Sequence, residues 1–418
     1  MYSVGTARLH SGTCLAGIFF LTVSCFAQTD PGPRGGAAAA GGPLPGLSAS
    51  ASLTAAFNHG SDRFTETEDV PNNGLGPRFN GDACSLCHSQ PAVGGTSPAI
   101  NPLFKFANAQ NTVPSFITAQ GPIREARFIY KPDGTADGGV HDLFTISGRS
   151  DAPAGCNLTQ PNFPAQLSQG NVIFRIPTPT FGLGLIEAIP DSVLVQNVNQ
   201  SANPSLGIQG HFNRSGNDGT ITRFGWKAQN KSLLMFSGEA YNVEMGISNL
   251  LFNTERDETP NCSNLAPNNI FTLPGANEAV FDDINNFSNF MCFLAPPTPA
   301  CTVNVNCSAS INNGSSLFNR IGCANCHTPT LTTGASQFPV LANQTIHPYS
   351  YFALHFMGPR LADSVSQPQA TSSAPRLFGA LASACSSCTT AVPAICCRPF
   401  TITTATAIFN TRRRQPTR

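Results

Sequence analysis

The sequence repeats one short pattern, C-x-x-C-H, at two places that lie far apart along the chain. The copies are Cys84-Ser-Leu-Cys87-His88 and Cys323-Ala-Asn-Cys326-His327. Two thiols about one helical turn apart can add to the two vinyl groups on one edge of a porphyrin, and the adjacent histidine can then ligate the iron. Each motif therefore predicts a covalently attached haem, so the chain has to fold around two porphyrins.

Two other interpretations of a C-x-x-C pair have to be weighed against haem attachment. A thioredoxin-like redox pair needs a βαβ context, which neither flank provides, and has no use for the following histidine. A zinc site would need two more ligands at each motif. The sequence therefore favours two covalently bound haem c groups, with His88 and His327 as iron ligands.

The second axial position of each iron decides between electron transfer and chemistry. A methionine or histidine there gives a closed electron carrier, whereas an open position can bind peroxide. His355 and Met357 follow the second motif in the order in which small cytochromes c place their distal ligand, so both are candidate metal ligands, with packing as the alternative. The other candidates are His59, His141, His211, His347, Met235, Met245 and Met291.

Two further residues are candidate catalytic groups. Glu187 is a lone carboxylate in the apolar run Phe181-Gly-Leu-Gly-Leu-Ile-Glu-Ala-Ile-Pro190, where it has to be hydrogen-bonded or functional. A buried glutamate of raised pKa can move a proton between the two oxygens of peroxide. Trp226, the only tryptophan, is a candidate electron relay between two haems. The alternatives are a glutamate that satisfies backbone donors and a tryptophan that only packs.

The N-terminal sequence predicts export. Residues 15–23 are apolar, and small residues precede a possible cut after Ala27, so residues 1–27 read as a signal peptide; a lipoprotein acylated at Cys25 is the alternative. Residues 28–50, rich in Pro, Gly and Ala, predict a disordered linker. We expect a periplasmic or extracellular protein with no membrane span. The 23 basic and 23 acidic residues balance, which argues against nucleic-acid binding.

Several stretches resemble a known family, the di-haem oxidoreductases, di-haem peroxidases also named thiol oxidoreductases and related to bacterial di-haem cytochrome c peroxidases. The resemblance covers about residues 57–370 and includes both motifs, Phe144-Thr-Ile-Ser-Gly-Arg-Ser, Arg223-Phe-Gly-Trp-Lys-Ala-Gln, Tyr241-Asn-Val-Glu-Met-Gly and Leu354-His-Phe-Met-Gly-Pro-Arg. It implies two mostly helical cytochrome c-like domains, with one haem that relays electrons and another that meets peroxide.

The expected fold is mainly α, with two cytochrome c-like haem domains, long loop-rich insertions and at most a small β element. We place the domains at residues 51–300 and 308–370, the β element at 127–130 and 141–146, and a helix at 277–293. A second helix is expected to run through the second motif to Thr328-Pro329. The resemblance stops after Ala370. When residues 371–418 are back-translated and the bases are read one position earlier, the encoded sequence continues in the way that is typical of the family. Residues 371–418 are therefore predicted to be out of frame, and the second domain is predicted to be truncated.

Five cysteines lie outside the motifs, the signal peptide and the tail: Cys156, Cys262, Cys292, Cys301 and Cys307. Cys301 with Cys307, and Cys156 with Cys262, are possible disulfide pairs. The whole sequence predicts an exported di-haem c-type cytochrome that takes electrons from a small donor protein and passes them to peroxide or another small oxidant. The alternatives are a pure electron-transfer cytochrome and a haem-free binding protein.

Overall fold

The computed structural model describes residues 40–137, 139–201, 206–207, 210–263, 283–297 and 308–355. The chain divides into two units, residues 1–31 and 32–418, and everything described here belongs to the second. The predicted signal peptide, the predicted out-of-frame tail, Met357, Cys301 and Cys307 lie outside the described residues.

Helices outnumber strands in the described residues, as the sequence predicts, and the strands are few and short. Helices α1 to α9 span Ala51–Thr65, Val70–Asn73, Cys84–Cys87, Phe163–Ser168, Leu183–Glu187, Asp191–Ser201, Leu233–Met245, Asp283–Phe293 and Ser308–Arg320. Strands β1 to β7 span Arg78–Phe79, Glu125–Phe128, Val140–His141, Phe144–Thr145, Val172–Arg175, Leu331–Thr332 and Thr345–Ile346. No helix in these ranges is long and apolar enough to cross a membrane.

Helices α1 and α8 pack closely and form the centre of the core. A Cβ at Gly60 of α1 would lie 2.3 Å from the carbonyl oxygen of Asn286 in α8, so only glycine allows this approach. On the same contact, the rings of Phe57 and Phe64 lie 5.4 and 4.8 Å from that of Phe290. Helix α8 ends at Phe293, as predicted, and the residues predicted to begin it lie outside the described ranges.

Side-chain caps set the ends of the two longest core helices. At the start of α1, the Ser50 hydroxyl accepts a hydrogen bond from the Leu53 N–H, and at the start of α7 the Ser232 hydroxyl accepts one from Met235 N–H at 3.2 Å. Helix α7 ends at Gly246, whose φ of 71° suits a glycine. These local signals hold α7 where it packs against α8.

The small β element is confirmed and is larger than the sequence predicts. Strand β2 pairs antiparallel with β3, so that Ala126 lies opposite His141, and on its other edge with β5, where Glu125 lies opposite Arg175. The predicted run at 141–146 divides into β3 and β4, and β4 pairs with β1 instead. Strand β5 was not predicted, because Val172-Ile-Phe-Arg175 shows no alternation of polar and apolar residues in the sequence.

Part of the predicted disordered linker is ordered, which corrects the prediction for its last residues. Leu44 and Leu47 are 4% and 1% exposed. The Leu44 N–H donates to the Phe293 carbonyl at 2.7 Å, and Pro43 forms an isolated bridge with Leu294. Two leucines among prolines and glycines are enough to anchor this segment against the end of α8.

One hydrophobic cluster joins side chains from both predicted haem domains. The ring of Phe293, at the end of α8, meets that of Phe338 edge-on at 5.4 Å. Leu331 and Leu341 belong to the same buried cluster as Phe57. The described part of the second predicted domain therefore shares its core with the first.

One of the two possible disulfides is confirmed. Cys156 and Cys262 are bonded, with their Cα atoms 4.7 Å apart, and the bond closes a loop of 106 residues. Cys292, which the sequence left without a partner, is also disulfide-bonded.

Candidate functional site

The first C-x-x-C-H motif forms a tight helical turn. Cys84–Cys87 is the short helix α3, and the His88 N–H closes the turn on the Cys84 carbonyl at 3.0 Å. Both cysteine residues keep some solvent exposure, and their thiols are unbonded. Burial raises the pKa of each thiol, which is the opposite of what a redox-active C-x-x-C pair needs. The turn therefore presents two protonated thiols and an imidazole side by side.

The imidazole of His88 is fixed by the loop that follows it. Its Nδ1 lies 2.9 Å from the carbonyl oxygen of Gly95, so Nδ1 carries the proton and Nε2 keeps its lone pair. Burial lowers the pKa of His88, although hydrogen bonds to the backbone of Gly95 and Thr178 oppose the shift. A neutral ring held through Nδ1 is the form in which histidine binds a metal through Nε2.

Aromatic rings and a buried acidic cluster surround the first motif. Phe64 meets the His88 ring edge-on at 6.2 Å. The backbone N–H of Glu68 donates to the Asp82 carbonyl at 2.7 Å, which brings Glu68 close to Cys84. The Tyr241 hydroxyl lies 3.1 Å from the Glu68 carboxylate and 3.3 Å from that of Asp283.

Glu68 is a deeply buried member of this acidic cluster. It is 1% exposed, and its Oε2 atom has no hydrogen-bond partner. Burial, and then the neighbouring charges of Glu66 and Asp283, raise the pKa of Glu68 to about 8. At neutral pH this carboxyl group therefore holds a proton beside the first motif.

The second motif has the same local geometry on a different turn. Cys323–Asn325 is a 3-10 turn, and the His327 N–H donates to the Cys323 carbonyl at 2.9 Å. The Nδ1 atom of His327 lies 3.0 Å from the carbonyl oxygen of Tyr349. The prediction of one helix through this motif is wrong, because α9 ends at Arg320 and Gly322, with φ of 90°, reverses the chain before the first cysteine.

Of the two candidate distal ligands, only His355 is described. The Tyr351 hydroxyl hydrogen-bonds to its Nε2 atom. The same hydroxyl interacts with the Cys326 thiol, and burial, followed by that thiol, raises the pKa of Tyr351. Through Tyr351, His355 thus lies near the second motif, while the role of Met357 stays a prediction.

The other histidines outside the motifs have roles of their own or lie at the surface. His141 stacks on Phe128 with centroids 3.6 Å apart, and its Nε2 lies 2.9 Å from Asp137. His347 is exposed and hydrogen-bonds to Thr330. His59 is exposed on α1.

Glu187, the first candidate catalytic residue, is the last residue of α5, and its side chain contacts the start of α7. Its Oε1 accepts a hydrogen bond from the Leu233 N–H at 3.0 Å. Burial raises the pKa of Glu187 well above its usual range, against the opposing effects of that hydrogen bond and of Arg223. Glu187 satisfies a backbone donor and has the raised pKa of a proton-transfer group, so its catalytic role stays a prediction.

Trp226, the second candidate, lies in a turn beside β5. The guanidinium of Arg175 lies 4.7 Å from the centre of its ring. The segment that carries this turn begins near His211, which pairs with Leu354, the residue before His355. The segment therefore contacts β5 at one place and the chain beside the second motif at another, and its role as an electron relay stays a prediction.

Neither motif supplies the ligand set of a metal held by protein side chains alone. In the described ranges, no group of three or more histidine, cysteine, aspartate or glutamate side chains could hold a metal ion.

A family model, described as di-haem oxidoreductase, putative peroxidase, matches residues 124–376 of this chain, which is more than half of its length. The chain belongs to this family.

The family match covers the second motif, Glu187, Trp226, His355 and Met357, and begins after the first motif. No curated protein and no solved structure matches the chain. The residues of this di-haem oxidoreductase fit the haem that its family implies. Each motif offers two unbonded thiols, which can attach a porphyrin, and one histidine whose Nε2 atom can bind the porphyrin iron. A metal ion without a porphyrin would need further protein ligands.

Three residues of these sites were missed in the sequence. Glu68, Arg175 and Tyr351 are buried polar side chains that lie beside the motifs and the candidate residues only after folding. Tyr351, four residues before His355, carried a signal in the sequence through that spacing. Glu68 and Arg175 carried none, because no local pattern links them to Cys84 or to Trp226.

Proposed function

We propose that this member of the di-haem oxidoreductase family is an exported c-type cytochrome with peroxidase-type activity. One haem is attached at Cys84 and Cys87 with His88 as iron ligand, and the other at Cys323 and Cys326 with His327. The two attached haems accept electrons from a small donor protein and deliver them to peroxide or another small oxidant. Each motif would lie in a cytochrome c-like part of the chain, and the two parts would share one hydrophobic core.

The observation that carries this proposal is the shared geometry of the two motif histidines. Both rings donate from Nδ1 to a backbone carbonyl, that of Gly95 for His88 and that of Tyr349 for His327. The acceptors come from unrelated segments, 7 and 22 residues further along the chain. Two unrelated loops hold both imidazoles in the Nδ1-protonated tautomer, which leaves the Nε2 atom of each ring available to bind iron.

We place the closed haem at the second motif. Through Tyr351, which hydrogen-bonds to the His355 Nε2 atom and interacts with Cys326, His355 lies near that motif, and this Nε2 atom would have to exchange its hydrogen bond for iron to become a second ligand. Peroxide would then react at the first haem. Glu187 would supply proton transfer to peroxide, since burial raises its pKa well above the usual range of a carboxyl group.

The test is an optical spectrum of the protein co-expressed with haem-attachment machinery, oxidised and then reduced, with and without peroxide. Cys84→Ser/Cys87→Ser and Cys323→Ser/Cys326→Ser should each lose one covalent haem, and His59→Ala, at the surface of α1, should keep both. A high-spin component that responds to peroxide supports the enzyme. Two low-spin haems indifferent to peroxide would instead identify an electron carrier, and absence of covalent haem would overturn the proposal.

A further inference from the structure

A buried carboxyl group with one unbonded oxygen lies beside the first motif. Glu68 is 1% exposed, and its Oε1 atom lies 3.1 Å from the Tyr241 hydroxyl. Its Oε2 atom has no hydrogen-bond partner among the described residues. Burying a charged carboxylate without a full set of hydrogen bonds costs free energy, and a proton on the carboxylate removes much of that cost. The position of Glu68 therefore favours the exchange of one proton.

The surroundings of Glu68 are mainly acidic. The charged and titratable groups that face it come from α1 and the residue after it, α3, α7 and α8: Arg63, Glu66, Cys84, Tyr241 and Asp283. The cation of this set, Arg63, forms salt bridges with Glu66 and with Asp283, the latter at 3.3 Å. Burial, and then the charges of Glu66 and Asp283, raise the pKa of Glu68 to about 8.

Glu68 also acts on the sulfur to which the first haem would be bonded. Burial, followed by the charge of Glu68, raises the pKa of the Cys84 thiol. The backbone brings the two residues together, because the Glu68 N–H donates to the carbonyl of Asp82, two residues before Cys84, at 2.7 Å. A charge that acts on this sulfur acts on a haem bonded to it, and the effect is strong where little water surrounds the charge.

We propose that Glu68 is the redox-linked proton acceptor of the first haem site. The inference rests on the proposed function, because it requires a haem at Cys84 and Cys87. As the donor protein delivers one electron to this site, a carboxylate oxygen of Glu68 takes one proton from water. As the electron leaves for the oxidant, Glu68 returns the proton to water, so the net charge of the site stays the same in both steps. The partly exposed side chain of Glu66, two residues earlier, lies between this carboxyl group and solvent.

The coupling has a defined sign and size. An oxidised haem carries one more positive charge than a reduced haem, so the pKa of Glu68 has to be lower in the oxidised protein than in the reduced protein. Between these two pKa values, the midpoint potential of the first haem falls as the pH rises. We expect a total fall of at least about 59 mV between about pH 6 and pH 10, which is a tenfold change in the equilibrium constant for a one-electron reduction.

The test measures the midpoint potential of each haem against pH in the wild type and in three variants. Glutamine is uncharged at every pH, so Glu68→Gln should hold the first haem near the low-pH potential of the wild type throughout. Tyr241→Phe removes a hydrogen bond that favours the charged form of Glu68, so the fall should move to higher pH. Glu258→Gln changes an exposed carboxylate and is the matched control, which should follow the wild type.

Glu244 is the competing carboxyl group, because it also lies beside the first motif. Burial, followed by the charge of Glu244, raises the pKa of the Cys87 thiol, and burial, followed by Glu125, raises the pKa of Glu244 to about 8. Its Oε2 atom, however, accepts a hydrogen bond from the Asn80 amide at 2.8 Å, which favours the charged form. Glu244→Gln should therefore keep the fall in potential. Loss of the fall in Glu244→Gln but not in Glu68→Gln would overturn the assignment to Glu68.

An infrared difference spectrum between the oxidised and the reduced protein detects the proton directly. Near pH 8, reduction of the wild type should add the C=O stretching band of a protonated carboxyl group, and Glu68→Gln should lack this band. In Tyr241→Phe the band should shift in frequency, because the Tyr241 hydroxyl is hydrogen-bonded to Glu68. The wild type and Tyr241→Phe keep the test decisive if Glu68→Gln fails to retain the first haem.

A first haem whose potential is constant over this pH range, or whose potential falls equally in Glu68→Gln and in the wild type, would overturn the inference and leave the proposed function intact. A wild-type protein without covalent haem would overturn the proposed function before any variant is compared. The variant that keeps only the first haem, Cys323→Ser/Cys326→Ser, assigns the potentials.

Discussion

Replacing Glu68 by glutamine should change how the stability of the protein depends on pH. Glu68 is 1% exposed, and its carboxylate shares the Tyr241 hydroxyl with that of Asp283. That hydroxyl has one proton and donates to one carboxylate at a time. A proton on Glu68 gives the cluster a second donor, and Glu68→Gln supplies a donor amide at every pH.

The sign and size of this pH effect follow from the pKa of Glu68 in the folded and in the unfolded chain. In the unfolded chain Glu68 loses its proton near its ordinary pKa of 4.5, whereas burial holds the proton in the folded state to about 8. Between pH 4.5 and pH 8, unfolding releases the proton of Glu68, so the free energy of unfolding falls as the pH rises. The stabilisation is full below pH 4.5 and is lost as the pH rises through about 8. Each pH unit is worth about 1.4 kcal/mol, so the loss approaches about 5 kcal/mol as an upper limit.

Urea unfolding between pH 5 and pH 9 measures this effect. The wild type should lose free energy of unfolding over this range, Glu68→Gln should lose much less, and the curves should separate most above pH 8. Glu258→Gln, which changes an exposed carboxylate, is the control and should follow the wild type. If Glu68→Gln and the wild type gave parallel curves, the assignment of a buried, protonated Glu68 would be refuted.

Three further predictions follow from packing, cross-linking and proton transfer. In Gly184→Ala the new Cβ would lie 1.5 Å from the Cys292 carbonyl oxygen, so α5 and α8 have to separate, and urea unfolding should show a loss of at least about 2 kcal/mol. Cys156→Ser opens the 106-residue loop closed with Cys262 and should lower the free energy of unfolding by about 2–5 kcal/mol under oxidising conditions. Glu187→Gln should retain two covalent haems by spectrum but lower peroxide turnover about 100-fold or more, and full turnover would remove Glu187 from the mechanism.

The motifs were predictable because their chemistry depends on spacing within five residues. A helical turn at Cys84–Cys87 and a 3-10 turn at Cys323–Asn325 follow from short-range hydrogen bonds. The carbonyl groups that fix His88 and His327 were not predictable, because every residue type has a backbone carbonyl and the sequence does not show which one will lie beside the histidine. The acidic cluster at Glu68 was hidden for a different reason, since its members lie up to about 200 residues apart in sequence and meet only through packing.

Composition was informative about the chain as a whole and misleading about one short segment. Proline, glycine and alanine predict disorder before residue 50, yet Leu44 and Leu47 enter the core beside α8. Burying even two leucines contributes several kcal/mol, which is enough to order a short segment that also gains backbone hydrogen bonds. The single Gly322 similarly divided what periodicity predicts as one helix, because its positive φ ends α9 before the motif.

The surface of α9 offers a test of the proposed frame error in the tail. Leu317 and Ile321 lie one helical turn apart, and they are 41% and 65% exposed. If residues 371–418 are out of frame, a gene with the base restored encodes a different tail, and we expect that tail to cover these side chains. Leu317→Ser/Ile321→Ser should then cost about 2 kcal/mol or more in the restored protein and under about 0.5 kcal/mol in the present one. Leu251→Ser, at an exposed leucine elsewhere, controls for the substitution itself, and equal costs in the two proteins would show that the restored tail does not cover Leu317 and Ile321.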